Sequence, residues 1–240
     1  LCAVYVDGKQ LVDPNLTSHY HDAPSATSKV LANPSAGFSI VTWTGTGVNG
    51  IIAHGLNAAP EMIIAKCRSH SSTDWPVYHS VLGNNNRVYL SGANSSSAGT
   101  NWNYTSPTSS VFFVGDNADT NGLDRTYVAY CFAPVEGYSA VGSYEGNSNS
   151  SDGTFVYTGF RPAFIIVKSI DTAQYWYLAD SSRSPSNDGA TEGLWANTND
   201  TEFSYDVDFL SNGFKNRNTS ANLNSSSTTY IYVAFAENPF

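Results

Sequence analysis

Short apolar runs of four to eight residues, rich in β-branched and aromatic types, alternate with clusters of Gly, Pro, Asn and Ser along almost the whole chain. That pattern predicts strands and turns. The runs are Phe38–Trp43, Ile51–His54, Glu61–Lys66, Trp75–His79, Arg87–Leu90, Val111–Val114 and Thr126–Phe132. A second set follows: Ala140–Tyr144, Thr154–Tyr157, Ala163–Lys168, Tyr175–Ala179, Gly193–Ala196, Val207–Leu210, Gly213–Arg217 and Thr229–Ala236. No stretch keeps a helical period over three turns. The unbroken runs around Ile63-Ile64-Ala65 and Ile165-Ile166-Val167 predict central strands covered on both faces. Ahead of them, Asp7-Gly8 between Ala3–Val6 and Gln10–Val12 signals a hairpin. His19–Pro34 is polar, carries prolines, and is expected to be a linker.

The two sets of strands are one set written twice. Pro60–Lys66 returns as Pro162–Lys168, Trp75 as Trp176, and Thr126–Ala133 as Thr229–Ala236. The offsets are 102 (66 to 168), 101 (75 to 176) and 103 (126 to 229), so loops have drifted around a kept framework. Units of ~100 residues are large enough to hold their own cores. The expected fold is all-β: two homologous β-sandwich or jelly-roll-like lobes, residues 36–139 and 140–240, after an N-terminal hairpin and linker at 1–35.

Composition narrows the function. Only 13% of residues are charged, and the net charge is −9. No basic patch exists among the 11 Lys and Arg, so neither nucleic acid nor an anionic membrane surface is an expected partner. The apolar runs are strand length, too short for a membrane span. The polar surface must come from Ser, Thr, Asn and Gly. These match sugar hydroxyls as donors and acceptors, although turn-rich β-proteins collect them for conformational reasons too. Cys2, Cys67 and Cys131 fit no zinc spacing and no disulfide framework, and Cys131 stands where the second lobe has Ala234. A buried free thiol at Cys131, and assembly in a reducing bacterial cytosol, are expected. A chain that begins at Leu1 is expected to be a piece or processed product of a longer one.

Four groups of residues could carry chemistry. Asn117, Asp119 and Asn121, with Asp124 close behind, space oxygen ligands as a calcium loop does. An ordinary Asn-Gly turn is the alternative, and the matching stretch of lobe 2, Asn218 to Ser226, has no acid. Glu192, Glu202, Asp206 and Asp208 could supply the carboxylate pair of a glycosidase, against the commoner fate of solvated loop acids. His19, His21, His54, His70 and His79 are expected to be structural or surface residues. No nucleophile elbow or phosphate loop occurs. Loop aromatics are the better lead. Trp102 between Asn101 and Asn103, and Trp195 near Asn197 and Asn199, suit stacking on a sugar or a protein interface. The alternative for each is a rim aromatic that closes the sandwich. Trp75 and Trp176 recur and are expected in a core or between sheets, whereas Trp43 is expected to be partly exposed. Sequons at Asn15, Asn94, Asn103, Asn149, Asn199, Asn218 and Asn224 matter only in a glycosylating compartment.

Several longer motifs occur in a familiar order. They are Gly37–Val41, His54-Gly55-Leu56 with Ala59-Pro60, Tyr127–Ala133, Phe155–Pro162, Asp208–Lys215 and Tyr230–Phe240. Over roughly residues 25–240 they resemble a domain family from virion genes of phages that infect cyanobacteria and other aquatic bacteria, where the domain often follows a concanavalin-like lectin domain. The resemblance implies a virion-surface tail fibre, tail-tip appendage or head fibre, made in the host cytoplasm. It transfers no catalytic residues and no cofactor. The resulting expectation is a non-enzymatic adhesin for a host-envelope glycan, assembled as a homo-oligomer, with three-fold symmetry the first guess. A purely structural decoration or fibre-building role, burying its aromatics against other virion proteins, and a polysaccharide depolymerase are the alternatives.

Overall fold

The computed structural model describes residues 25–237 and, before them, two short strands. These are β1 (Tyr5–Val6) and β2 (Lys9–Gln10), paired antiparallel with Val6 opposite Lys9. The expected hairpin is present at those four residues. Its turn at Asp7-Gly8, its outer residues and most of the expected linker lie outside the described residues. The first lobe contains β3 (Ser28–Asn33), β4 (Phe38–Thr44), β5 (Gly50–Ala53), β6 (Met62–Cys67), β7 (Pro76–His79), β8 (Asn86–Tyr89), β9 (Ser97–Ala98), β10 (Val111–Val114) and β11 (Thr126–Phe132). The second contains β12 (Ser139–Glu145), β13 (Phe155–Tyr157), β14 (Pro162–Ser169), β15 (Tyr177–Asp180), β16 (Glu192–Trp195), β17 (Phe203–Ser204), β18 (Val207–Leu210), β19 (Gly213–Asn216) and β20 (Thr229–Ala236). Helix is confined, among the described residues, to a 3₁₀ turn at Pro34–Ala36 and α1 (Ala118–Asn121). The chain is all-β.

Each lobe is a large antiparallel sheet faced by a small one. Lobe 1 orders its large sheet β3-β4-β11-β6-β7-β8-β9 and its small one β10-β5. Lobe 2 orders them β12-β20-β14-β15-β16-β17 and β13-β19-β18. Strand for strand, β4-β11-β6-β7-β8-β9 answers to β12-β20-β14-β15-β16-β17. Two strands lack counterparts: β18, and β3, which lies inside the expected linker. Ser28–Asn33 is instead the edge strand of lobe 1, with Val30 opposite Val41 and Leu31 opposite Ile40. The first lobe therefore begins before residue 36.

The repeat extends to the ring geometry inside each core. In lobe 1, Trp43 stacks on Tyr127 (5.2 Å, 17°) and meets Phe112 edge-on (5.7 Å, 74°). In lobe 2, Tyr144 stacks on Tyr230 (5.1 Å, 15°) and meets Phe214 edge-on (5.9 Å, 81°). Trp43, expected to be partly exposed, is buried because it is the lobe-1 member of this triad. Cys67 and Cys131 are buried free thiols, and desolvation pushes the Cys131 thiol up to about 12.

A third apolar layer lies between the lobes. The central strands alternate between two cores: Tyr127, Ala129 and Cys131 face the lobe-1 core, while Tyr130 and Phe132 face lobe 2. In β20, Tyr230, Tyr232 and Ala234 face the lobe-2 core, and Ile231, Val233 and Phe235 face lobe 1. Trp176 is buried in this layer with Met62, Ile64, Val77 and Val88, as expected of a residue between sheets. Phe132 and His79 both pair with Met62, so they form one row across the lobe-1 sheet. Phe132 touches Phe235, whereas His79 Nε2 lies 3.4 Å from the Tyr232 carbonyl. Two strand spacings, ~9.5 Å, thus match three residues along β20, ~10 Å, so the sheets cross rather than run aligned.

Polar bonds fix this layer. Trp176 Nε1 donates to Tyr89 O (2.9 Å), and Ser96 N donates to Ile170 O (2.8 Å). The buried Lys168 ammonium donates to Ala93 O (3.1 Å) and Ser169 O (2.7 Å), and desolvation pulls it down to about 8. His79 is held down to about 4 by burial, with its Nδ1 accepting from Val81 N (3.3 Å).

Two outcomes follow for stability. Trp176→Ala opens the shared layer and should cost about 3–5 kcal/mol in urea unfolding. A buried neutral His79 stabilises the fold fully above pH 6.5, and that stability is lost as pH falls towards 4. The unfolding free energy of the wild type should therefore drop through this window by about 3 kcal/mol more than that of His79→Gln. Parallel pH profiles of the two proteins would refute this.

Candidate functional site

Trp102 does not present its ring to solvent. It is 1% exposed and packs edge-on against Tyr78 (5.8 Å) in the lobe-1 core. The loop turns inward because Gly115 has no side chain: a Cβ there would lie 1.9 Å from Thr100 O. Asn101 is buried beside it, and its carbonyl accepts from Gly115 N (3.1 Å) and Thr120 Oγ1 (3.2 Å). Trp102 and Asn101 are thus corrected from ligand-binding to core residues. Asn103 sits at positive φ in the following turn, where its carbonyl accepts from Thr105 Oγ1. The exposed aromatic of this loop is Tyr104, at 58%.

Trp195 is different. It closes β16 at the margin of the lobe-2 core, half-buried. Its ring stacks on Phe203 (4.1 Å, 23°), with Tyr175 at 5.5 Å, Tyr205 at 5.9 Å and Tyr177 at 6.2 Å. Gly193 makes this cluster possible, since a Cβ there would sit 2.5 Å from the Tyr177 ring. Trp195, Phe203 and Tyr205 line a shallow open cleft whose rim is Asn199, Asp200, Thr201 and Ser204. Asn199 is exposed on that rim. Asn197 works structurally: its Oδ1 accepts from Trp176 N (3.0 Å). The sequence pointed to Trp195 but not to Phe203, Tyr205 or Tyr175; the β16–β17 pairing brings the first two to it and the β15–β16 pairing brings Tyr175.

The charges near this cleft are mostly committed. Arg183 bridges Asp180 (2.9 Å) and Glu202 (2.8 Å), and Arg217 pairs with Asp208 (2.7 Å). Asp206 is raised by burial and by Asp208. Of the four acids weighed as a glycosidase pair, Glu202 and Asp208 are therefore held in ion pairs.

The calcium-loop residues have other work. Asn117 caps α1, its Oδ1 accepting from Asp119 N (2.8 Å). Asp119 takes Asp74 N (3.2 Å) and the Tyr89 hydroxyl (3.3 Å) on its two oxygens. Asn121 is buried: its Oδ1 accepts from Thr46 N (3.0 Å), while Nδ2 donates to Thr46 Oγ1 and Val48 O. Asp124 is exposed in a positive-φ turn. Among the described residues no three His, Cys, Asp or Glu gather where one ion could be held. The oxygens of Asn117 and Asn121 are directed at backbone donors and those of Asp119 at Asp74 N and the Tyr89 hydroxyl, so these three do not converge with Asp124 on one ion.

The same device recurs in lobe 2 without any acid. Asn224 is buried, its Oδ1 accepts from Asn147 N (3.0 Å), and its Nδ2 donates to Asn218 O (2.7 Å). Beside each Asn a core tyrosine hydroxyl closes the loop: Tyr127 to Ala118 O and Tyr230 to Ala221 O, both at 2.8 Å. The Asn-rich segments are loop anchors, and their recurrence at an offset of 103 (121 to 224) was the available signal.

A family model described as a domain of unknown function (DUF7483) matches residues 18–239. No curated protein and no solved structure gives a significant match.

If the anchors act as drawn, Asn121→Ala and Asn224→Ala should each cost about 2–3 kcal/mol in urea unfolding, because they strand buried backbone donors and acceptors. Millimolar calcium should leave the thermal midpoint unchanged. A calcium-dependent rise in that midpoint would restore a metal at this loop.

Proposed function

We infer that this chain, which belongs to the DUF7483 family, is a non-catalytic binding protein that takes a glycan in the Trp195 cleft of lobe 2. The observation that carries the reading is an open cleft lined by the part-exposed Trp195 with Phe203 and Tyr205, beside the amide and hydroxyl side chains of Asn199, Thr201 and Ser204. A sugar ring stacks its C–H face on an indole, and its hydroxyls exchange donor and acceptor bonds with Asn199, Thr201 and Ser204. A floor already stacked on Phe203 and Tyr175 loses little freedom on binding. The resemblance to virion proteins supports a setting on a phage surface, with the glycan on the host envelope. A fibre-building or capsid-decorating role is the second reading. It is favoured by Phe155 and Tyr157, exposed at 42% and 66% on one strand.

Binding of the purified chain to host cells and to a bacterial glycan array tests this. Trp195→Ala should weaken glycan binding at least tenfold, ~1.4 kcal/mol, in a protein that keeps the wild-type circular dichroism although its melting point falls with the lost ring contacts. Trp102→Ala should instead lower stability by about 3–5 kcal/mol. Undiminished binding by a folded Trp195→Ala protein would remove the cleft from the function, and no binding by the wild type would favour the structural role.

A further inference from the structure

The two lobes differ at one edge, and the difference leaves a strand position open in lobe 2. In lobe 1, residues 25–33 lie along the edges of both sheets. Ser25 and Ala26 bond to Ile51 on β5, and β3 pairs with β4 along its whole length. In lobe 2 the equivalent strands, β13 and β12, have no such neighbour among the described residues. The connection from β11 to β12, residues 133–138, is too short to supply one.

Backbone alternation identifies the open groups. Tyr138 O accepts from Ala236 N, and Gly146 N donates to Thr228 O. Even-numbered residues of β12 therefore point their N–H and C=O at β20, and odd-numbered ones point outward. At the ends, Ser139 N donates to Val135 O and Glu145 O accepts from Thr154 Oγ1. Val141 and Ser143 remain, at the positions where Ile40 and Thr42 of lobe 1 meet Leu31 and Lys29. This edge carries no Lys, no Pro and no bulge, the usual guards of a free strand. The lobe-1 edge, by contrast, has Lys29 and ends at Pro34.

We propose that β12 pairs antiparallel with β12 of a second copy of this chain, across a two-fold axis at Gly142. The strand is self-complementary in that register. Val141 faces Ser143 of the second copy and the reverse, giving four backbone hydrogen bonds from the four open residues. Gly142 meets Gly142 with no side chains between them, and Tyr144 faces Ala140. Each Glu145 faces a Ser139, so no like charges oppose. An exposed aromatic flank adjoins the axis. The Tyr232 ring lies over Gly142, where a Cβ would be 2.9 Å from its hydroxyl, and that hydroxyl donates to Tyr157 O (3.4 Å). Exposed Phe155 and Tyr157 are thereby set beside the pairing centre, where a partner can cover them. The assembly is a closed, isologous dimer joining two lobe-2 sheets, where the sequence alone suggested three-fold symmetry.

Sedimentation equilibrium of the full chain is the test, supported by hydrogen exchange at residues 141 and 143. The wild type should run at twice its chain mass of 25.8 kDa at micromolar concentration. Ser143→Pro removes only an outward N–H, and Ser143→Lys places a guard on the edge, so each should raise the dimer dissociation constant at least tenfold. Both should keep the wild-type circular dichroism, and Ser143→Ala should remain dimeric. Three results would overturn the proposal: a wild type monomeric at 100 μM, a folded Ser143→Pro or Ser143→Lys protein that stays dimeric, or a monomer whose 141 and 143 amides are nonetheless protected. The last result would assign the edge to a segment of the same chain.

Discussion

Two central strands packed on both faces hold this molecule together. β11 and β20 each send alternate side chains into a lobe core and into the layer between lobes. Neither face can take a charge without partners, so both strands read as near-continuous apolar sequence. A one-residue slip would exchange aromatic rings meant for a triad with aliphatics meant for the interface. The Trp43–Tyr127 and Tyr144–Tyr230 stacks fix that register from inside each lobe, and the loop-closing hydroxyls of Tyr127 and Tyr230 fix its ends. Sheet order, loop anchoring and the interface therefore rest on one alternation in two related strands.

The two lobes match at their centres and differ at their margins. Buried triads, stacked strands and Asn anchors are kept because a change in either partner leaves a cavity or an unpaired polar group. The margins carry no such constraint. Lobe 1 folds Trp102 inward and covers its edge with β3, whereas in lobe 2 Trp195 is part-exposed and β12 has no such neighbour among the described residues. The surface features suited to binding accordingly fall on lobe 2, where loops have drifted from the common offset.

Much of this was legible in the sequence. The β-branched runs located the principal strands, and Val111–Val114, Thr126–Phe132, Val207–Leu210 and Thr229–Ala236 agree to the residue. β3 was not legible: Ser-Lys-Val-Leu-Ala-Asn before a proline looks like linker, and only the vacant edge of β4 makes it a strand. The two-residue strands β9 and β17 carry too little pattern to find. For the candidate sites, the sequence identified Trp195 but could not separate it from Trp102. Both lie among Asn, Ser and Thr, and what turns Trp102 inward is a carbonyl pressed against Gly115, fifteen residues from that carbonyl's own residue, Thr100. Asn117, Asp119 and Asn121 have metal-like spacing in one dimension, but a single turn of helix aims their oxygens at separate protein donors.

The burial of Cys131 has a chemical consequence. Its thiol is enclosed by β4 and β6 on either side and cannot readily lose its proton near neutrality. Oxidants and disulfides react with thiolates, not with neutral thiols shielded from solvent. Cys67 is likewise buried. The Cys131 sulfur behaves as a small hydrocarbon and keeps one covalent state in reducing and oxidising surroundings alike.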